Sequence, residues 1–356
     1  MARLARLRLS MTVSILLVTI IFTAFLIALM YLIRVYLIRF PLTYSLIIVL
    51  FGTLIFILIQ YLIGPAMVRW STRLHYLKPG EHPWLETTVK NLAQKGGVQS
   101  PKLAIVPDQT PNAFVFGRTT RGATLAVHEG LLKQLNQAEI RGVIGHELGH
   151  IKHKDFVVMT VLSALPLIAY LIAQLTFRAA LYADGGKEEK AGGRIAFKVL
   201  LAAAAAISFI VYIVTLLCVM RLSRLREHYA DAYSAYVTGE PRQLESALTK
   251  ITYGLSLSPK PPHGARTLYI GDPALAKQEC RGILQRKEEY DLDKDGVLDE
   301  RELGLAMERE AKSKWTTMNT WFATHPATYQ RVLLLREIGK EMESGRYSSE
   351  RVYAHI

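Results

Sequence analysis

Long uncharged apolar runs alternate with stretches of mixed polarity along this chain. The first run, residues 11–33, follows an arginine-bearing start that carries Arg3, Arg6 and Arg8. As a helix it reaches across roughly 30 Å of hydrocarbon. The apolar core of a secretory signal is only about 7–15 residues long, so a retained helix is expected. A turn with Arg34, Arg39 and Pro41 leads to a second run, residues 42–68, which ends at Arg69. These two runs predict a helical hairpin over residues 1–68. A second hairpin is predicted over residues 156–220, from uncharged runs at 156–177 and 199–220 joined by a charged, glycine-containing connection. The small residues Ala202 to Ala206 suit close helix packing there. One such run would fit a buried core helix, but four in one chain fit membrane spans better.

The stretches between the hairpins have a different period. Residues 84–96 read as an amphipathic helix, and residues 102–106, 113–116 and 123–127 as short strands about a Gly/Arg/Thr turn. Asn136-Gln137-Ala138-Glu139 is a capping-box-like helix start. Ile140, Val143, Ile144, Leu148 and Ile151 then supply one apolar helical face. A small sheet beside that helix leaves an edge strand, to which an extended polypeptide can add by main-chain hydrogen bonds.

Composition agrees with a membrane-embedded chain, since 51% of its 356 residues are hydrophobic. The two cysteines lie apart, Cys218 in an apolar run and Cys280 in a charged one, which excludes a disulfide framework and a cysteine-based metal site. A net charge of +13 could suggest nucleic acid. The lysines and arginines flank apolar segments instead, without a nucleic-acid motif to interleave with, so no nucleic-acid partner is expected. Anionic headgroups of a lipid bilayer explain the charge better.

The chemistry concentrates in Gly145-His146-Glu147-Leu148-Gly149-His150, an H-E-x-x-H sequence inside the predicted helix. An i to i+4 spacing puts both imidazoles on one helical face, where they can hold one tetrahedral zinc from one side. Glu147 beside them can take the proton from an attacking water while zinc polarises a peptide carbonyl. This is the zinc-peptidase arrangement, and it needs a third ligand from elsewhere. Past the fourth run, Ser223-Arg224-Leu225-Arg226-Glu227-His228-Tyr229-Ala230-Asp231 reads as helix. Glu227 is the candidate third ligand. Asp231 faces the same way and can accept a hydrogen bond from a ligand histidine. Two membrane crossings separate Glu227 from His146 and His150, so both ligand sets are expected on one membrane face. A solvated charged face is the bland alternative for Glu227.

At this point the sequence resembles the HtpX family of membrane-embedded zinc metalloproteases, relatives of the CAAX prenyl proteases. The matching stretches are Pro111-Asn112-Ala113-Phe114, His146 to His150 with Lys152-His153-Lys154-Asp155, Ser223 to Asp231, and Thr324-His325-Pro326 with Arg331. The resemblance implies His146, His150 and Glu227 as zinc ligands, Glu147 as general base, and a cytoplasmic active site that cleaves membrane proteins. It also implies that Asn112 contacts the substrate backbone and that His325 and Arg331 stabilise the oxyanion, as donors of that kind can. Without it, His325 reads as a surface histidine before a proline and Asn112 as a turn residue.

One stretch departs from the family. Asp291-Leu292-Asp293-Lys294-Asp295-Gly296-Val297-Leu298-Asp299-Glu300-Arg301-Glu302 fits an EF-hand calcium loop, with the Asp291, Asp293, Asp295 and Asp299 side chains, the Val297 carbonyl and a bidentate Glu302 as ligands. Without a cation these carboxylates repel one another. The flank before it, residues 285–290, has few apolar residues for an entering helix, and a solvated acidic turn is the alternative.

Together these readings predict an α-helical multi-pass membrane protein with an α+β zincin-like metalloprotease domain. That domain is formed by residues 69–155 and 221–356, with the acidic loop as an insertion at 291–302. The expected function is zinc-dependent endopeptidase action on misfolded or membrane proteins in quality control, at the cell membrane. The alternatives are a calcium-responsive membrane adaptor with a vestigial peptidase site, and a prenyl-protein processing protease. Lysine and arginine near the N-terminus, beside the metalloprotease segments and at Arg221, Arg224 and Arg226 favour the cytoplasmic face, although residues 178–198 are also basic.

Overall fold

A charged residue ends a hydropathy run but not a helix, so the helices extend past the uncharged runs. The computed structural model describes residues 2–36, 42–182, 191–257, 269–294, 302–303, 305–306, 309, 323–345 and 352–353. In chain order these form α1 (Ala2–Tyr36), α2 (Leu42–Thr72), β1 (His75–Tyr76), α3 (Pro83–Gly96), β2 (Lys102–Val106), β3 (Ala113–Phe116), β4 (Thr124–His128) and α4 (Glu129–Gln134). Then follow α5 (Gln137–His153), α6 (Asp155–Tyr182), α7 (Ala191–Thr238), α8 (Pro241–Leu257), α9 (Pro273–Gln285), α10 (Lys287–Tyr290) and α11 (Thr328–Glu343). The stretch 223–231, which reads as helix in the sequence, is helical and continues the fourth apolar run within α7, an uninterrupted helix of 48 residues.

The chain divides into two compact units. One comprises Leu7–Ile63 and Val158–Leu222. Its core gathers Val18, Phe22, Phe25 and Leu26 of α1 with Leu162, Leu165 and Ala169 of α6 and Val219 and Leu222 of α7. Among the described residues, four helices contain stretches long and apolar enough to cross a membrane: Thr12–Leu29, Leu50–Thr72, Val158–Tyr182 and Ile195–Thr238. No residue in the Leu50–Thr72 stretch is buried. The chain is thus a multi-pass α-helical membrane protein.

The other unit comprises Met1–Arg6, Gly64–Val157 and Ser223–Ile356. It contains a mixed sheet of order β1-β2-β4-β3, in which β2 and β4 run parallel and the two outer pairings are antiparallel. β1 carries no apolar alternation, and its two residues are exposed, so the sequence pattern gave no sign of it. Alternation directs Ile105, Val115, Leu125 and Val127 into the main core with α3, α5 and α8. Ala104, Val106, Phe114, Phe116 and Ala126 form a second cluster with Val68 and Leu74. Both faces of β3 and β4 are therefore covered, which is why every residue of the two strands is buried.

Candidate metal centre

The α5 helix begins with a complete capping box. Asn136 Oδ1 accepts from the Ala138 and Glu139 amides at 2.9 Å each, and the Glu139 carboxylate accepts from the Asn136 amide at 2.8 Å. That fixed start sets the rotation at which His146 and His150 emerge. Glycines then let α7 come close. A β-carbon at Gly149 would lie 2.9 Å from Ala230 Cα, and one at Gly145 would lie 2.8 Å from Ser234 Oγ. Ser234 Oγ donates to the Gly142 carbonyl at 2.7 Å, tying the same two helices. This close approach is what carries Glu227, one helical turn before Ala230, to the two histidines.

Both ligand histidines are backed by carboxylates. His146 Nδ1 lies 2.8 Å from Asp231 Oδ1, and His150 Nδ1 lies 2.7 Å from Asp155 Oδ2. With Nδ1 of each ring donating there, each Nε2 is left to offer its lone pair to a metal. These two Nε2 atoms face one another at 3.1 Å. Glu227 completes the set, with Oε2 3.4 Å from His146 Nε2 and Oε1 3.5 Å from His150 Nε2. Three electron-rich groups converging in this way need a cation among them. Donors at about 2.0–2.1 Å from a tetrahedral ion stand roughly 3.3 Å apart, close to the separations here. Glu227 Oε2 is also buried without a hydrogen-bond donor among the described residues. The residues fit a zinc ion.

Asp155 owes its place to a backbone break. Lys154 ends α5 in the left-handed region at φ 59°, which turns the chain so that Asp155 opens α6 and reaches back to His150. Arg226 Nε holds the other oxygen of Asp155 at 3.0 Å. Against the effect of burial, Arg226 and His150 keep Asp155 below its ordinary pKa. Sequence reasoning did not show that Asp155 and Arg226 support a ligand histidine. The available signals were the acidic residue five positions after His150 and the arginine next to Glu227.

Glu147 is 3% exposed. Burial pushes its carboxyl above the usual range, while His150 and His146 pull the other way. His325 is also buried, with Nδ1 2.9 Å from Thr324 Oγ1 and Nε2 3.9 Å from Glu227 Oε1. It is neither a surface residue nor distant from the centre. Burial pushes its pKa below the ordinary imidazole value, with Glu227 opposing.

Arg331 is buried at the same centre. Its Nε and Nη2 grip Asp231 at 2.8 and 2.7 Å, and its Nη1 donates to the Ile270 carbonyl. These contacts make the guanidinium a brace for Asp231 beside His146, and its Nη1 also lies 3.8 Å from Glu227 Oε2. Asn112 holds the other side of the same residue. Its Oδ1 accepts from the Ile270 amide at 3.0 Å, and its side chain is buried. Ile270 is therefore gripped through both main-chain groups, a link with no sequence signal. Of the calcium-loop residues, Asp291, Asp293 and Glu302 bring ligand oxygens within 4.8 Å of one another, whereas Asp295, Val297 and Asp299 lie outside the described residues.

The chain belongs to peptidase family M48, whose sequence profile matches residues 79–339. A protein named Protease HtpX homolog from Methanothermobacter thermautotrophicus is 38% identical over 200 residues, covering 56% of this chain and 71% of the relative. Its namesake from Thermococcus kodakarensis is 34% identical over 265 residues, covering 74% and 76%. Another from Aeropyrum pernix is 37% identical over 195 residues, so the match spans 59% of that relative's length and 55% of this chain. Among solved structures, the crystal structure of S. mikatae Ste24p aligns over 91% of this chain and 63% of that chain, with 16% identity and a TM-score of 0.44. Membership of a metallopeptidase family implies a bound metal, and His146, His150 and Glu227 are the described group able to hold one beside the H-E-x-x-H glutamate.

Proposed function

We propose that this protein is a membrane-bound zinc metalloendopeptidase, a hydrolase that cleaves misfolded or membrane proteins in quality control at the cytoplasmic face of the cell membrane. The observation that carries the reading is the convergence of two imidazole lone pairs and one carboxylate beside the buried Glu147. Zinc held there supplies a Lewis acid that polarises the scissile carbonyl and lowers the pKa of water. Glu147, lifted by burial, is suited to take a proton from the attacking water and return it to the leaving amine. The His325 ring, 3.9 Å from Glu227, can donate an N–H to the developing oxyanion. β3 lies at the edge of the sheet and packs against α5, so an extended substrate adding to it would run beside the metal helix. The membrane spans favour substrates that share the bilayer, and the arginines after the fourth run favour the cytoplasmic face.

The test is metal analysis of purified protein with cleavage of a detergent-solubilised membrane substrate by wild type and Glu147→Gln. Zinc content should be the same in both, while loss of the general base should slow cleavage by about a hundredfold or more. Equal rates would remove the base assignment. A Glu227→Ala variant that holds zinc as tightly as wild type would move the third ligand elsewhere.

The acidic loop supports a second reading, that the site is calcium-responsive. Beside the clustered oxygens of Asp291, Asp293 and Glu302, the side chains of Ile283, Tyr290, Leu303 and Ala306 form a small core that joins the two flanks of the loop. That core supplies the packing that composition alone did not suggest. Calcium on the loop would tie Asp291 and Asp293 to Glu302 across its two flanks. Calorimetric titration of wild type and Asp291→Ala/Glu302→Ala, with cleavage rates at each calcium level, tests this. Absence of binding heat up to about millimolar calcium would exclude the site.

A further inference from the structure

Glu279 lies in α9, outside the metal centre, and its carboxylate meets the first turn of α11. The Thr328 amide donates to Glu279 Oε1 at 3.0 Å, and the Thr328 hydroxyl bonds to the same carboxylate. Thr328 Oγ1 is in turn 2.9 Å from Thr252 Oγ1 on α8. The second oxygen, Oε2, is sealed from solvent and accepts no hydrogen bond among the described residues. α11 provides no side-chain cap of its own, because its N-cap residue is Ala327. The first amides of a helix lack intrahelical acceptors, and the positive end of the helix dipole favours an anion. Glu279 supplies both requirements from a neighbouring helix.

What hangs from this clamp is the metal centre. One turn into α11, Arg331 grips Asp231, which holds His146. Just before α11, His325 borders Glu227. We infer that Glu279 is a positioning residue for the metal centre, fixing the register of α11 in which Arg331 and His325 meet Asp231 and Glu227. The inference rests on the peptidase reading above.

The clamp is also sensitive to pH. Burial pushes Glu279 up to about 7, helped by Asp272 and opposed by the Thr328 donors and Arg331. Asp272, immediately before α9, and Arg331, on α11, are the charged groups that act on it. On its own helix, burial pushes the adjacent Cys280 up to about 11, so that group stays a thiol, and α8 offers the Thr252 hydroxyl. A carboxyl whose folded pKa is raised binds its proton more tightly in the folded state. The stability it contributes is therefore full at low pH and is lost as pH rises from the unfolded value of 4.5 toward about 7. The ionised clamp holds α11 best yet lowers global stability. The two effects have opposite signs.

Glu279→Gln separates them, since the amide keeps the size and never ionises. At about pH 8 its kcat should fall between about tenfold and a hundredfold, the range of a small misplacement of reacting groups, with KM nearly unchanged. At about pH 6, where the wild-type carboxyl is protonated, the two rates should converge. Its melting temperature at about pH 8 should equal or exceed that of wild type. Equal kcat at both pH values would overturn the inference. So would a pH-independent loss of kcat accompanied by lower melting temperature and zinc content, which would mark Glu279 as merely structural. Hydrogen exchange in the first turn of α11 supplies a readout that needs no catalysis: it should speed up in Glu279→Gln at about pH 8. Unchanged exchange would overturn the inference even if wild type and Glu147→Gln proved equally inactive, the result that would sink the peptidase reading itself. If Glu279→Gln fails to fold, Thr328→Val removes one of the two clamp donors. Wild-type kcat and exchange in that variant would have the same force.

Discussion

In the unit built around the sheet, charged side chains are buried and tied to one another. Asp231 and Arg331 are 0% and 2% exposed, and Asp155 and Arg226 are 1% and 6% exposed. In the unit of Leu7–Ile63 and Val158–Leu222, large apolar side chains stand exposed instead, including Leu50, Phe51, Leu54, Leu58 and Leu62 along α2. Water would reject both arrangements if they were unsupported. A lone buried charge costs several kcal/mol (on the order of 3–5), and each exposed leucine forgoes about 1.5–3 kcal/mol of burial. Each unit escapes by a different route. The first pairs every buried charge named here, which permits a dry polar cluster able to hold a metal. The second takes hydrocarbon as its solvent, where an apolar surface is the favoured one and backbone groups are satisfied within helices.

The sharpest way to break the first half of this contrast is Asp231→Asn. It leaves the buried Arg331 guanidinium with only the more distant Glu227 carboxylate, 3.8 Å from Nη1, and it also releases His146. Breaking a buried pair of this kind typically costs about 3–5 kcal/mol. Denaturation in detergent should show that loss together with reduced zinc. The double variant Asp231→Asn/Arg331→Met removes the poorly paired charge and should regain much of the stability without regaining cleavage. If the single variant were as stable as wild type, the pairing account would be wrong.

The second half is tested by Leu58→Arg, at a site 51% exposed on α2. If lipid surrounds that face, an arginine there costs about 2.5–3.5 kcal/mol of insertion free energy, less whatever snorkelling recovers. Membrane insertion and expression should fall relative to Leu58→Phe. Equal yields from the two variants would mean that water, not lipid, meets the face.

What the sequence made legible follows from how local each cause is. The i to i+4 histidines and the capping box at Asn136 are fixed by a single helix, so both can be read from a few neighbouring residues. Strands 102–106 and 113–116 are short, apolar and bounded by turn residues, and the structure has both. The continuity of α7 was hidden because Arg221 ends the hydropathy run without ending helical backbone. The partners of Arg331 were hidden for a different reason. That its guanidinium grips Asp231, 100 positions earlier, follows from the tertiary packing of α11 on α8. Gly145 and Gly149 were visible letters of the motif, but their function appears only once Ser234 and Ala230 are seen against them.

The smallest expected effect comes from Asp155→Asn, and it discriminates between bracing a ligand and merely packing beside it. An asparagine keeps the shape and can still accept from His150 Nδ1, but it loses the charge that holds the imidazole as the better donor to a metal. Loss of such a backing carboxylate typically costs about 10–100-fold in metal affinity. Arg226 would lose its ionic partner in the same step, yet at the border of the cluster rather than beside both His146 and Glu227, so stability should fall less than in Asp231→Asn. Acid should act in the same direction. The depressed pKa means that the stability contributed by Asp155 is present above its ordinary value of 3.8 and is lost as pH falls through the folded value. Competition with a chromogenic zinc chelator at about neutral pH measures the affinity directly. An Asp155→Asn protein that holds zinc as tightly as wild type would show that the fixed rotation of α5, set by its cap and by the glycine contact with α7, is sufficient to orient His150 without a carboxylate behind it.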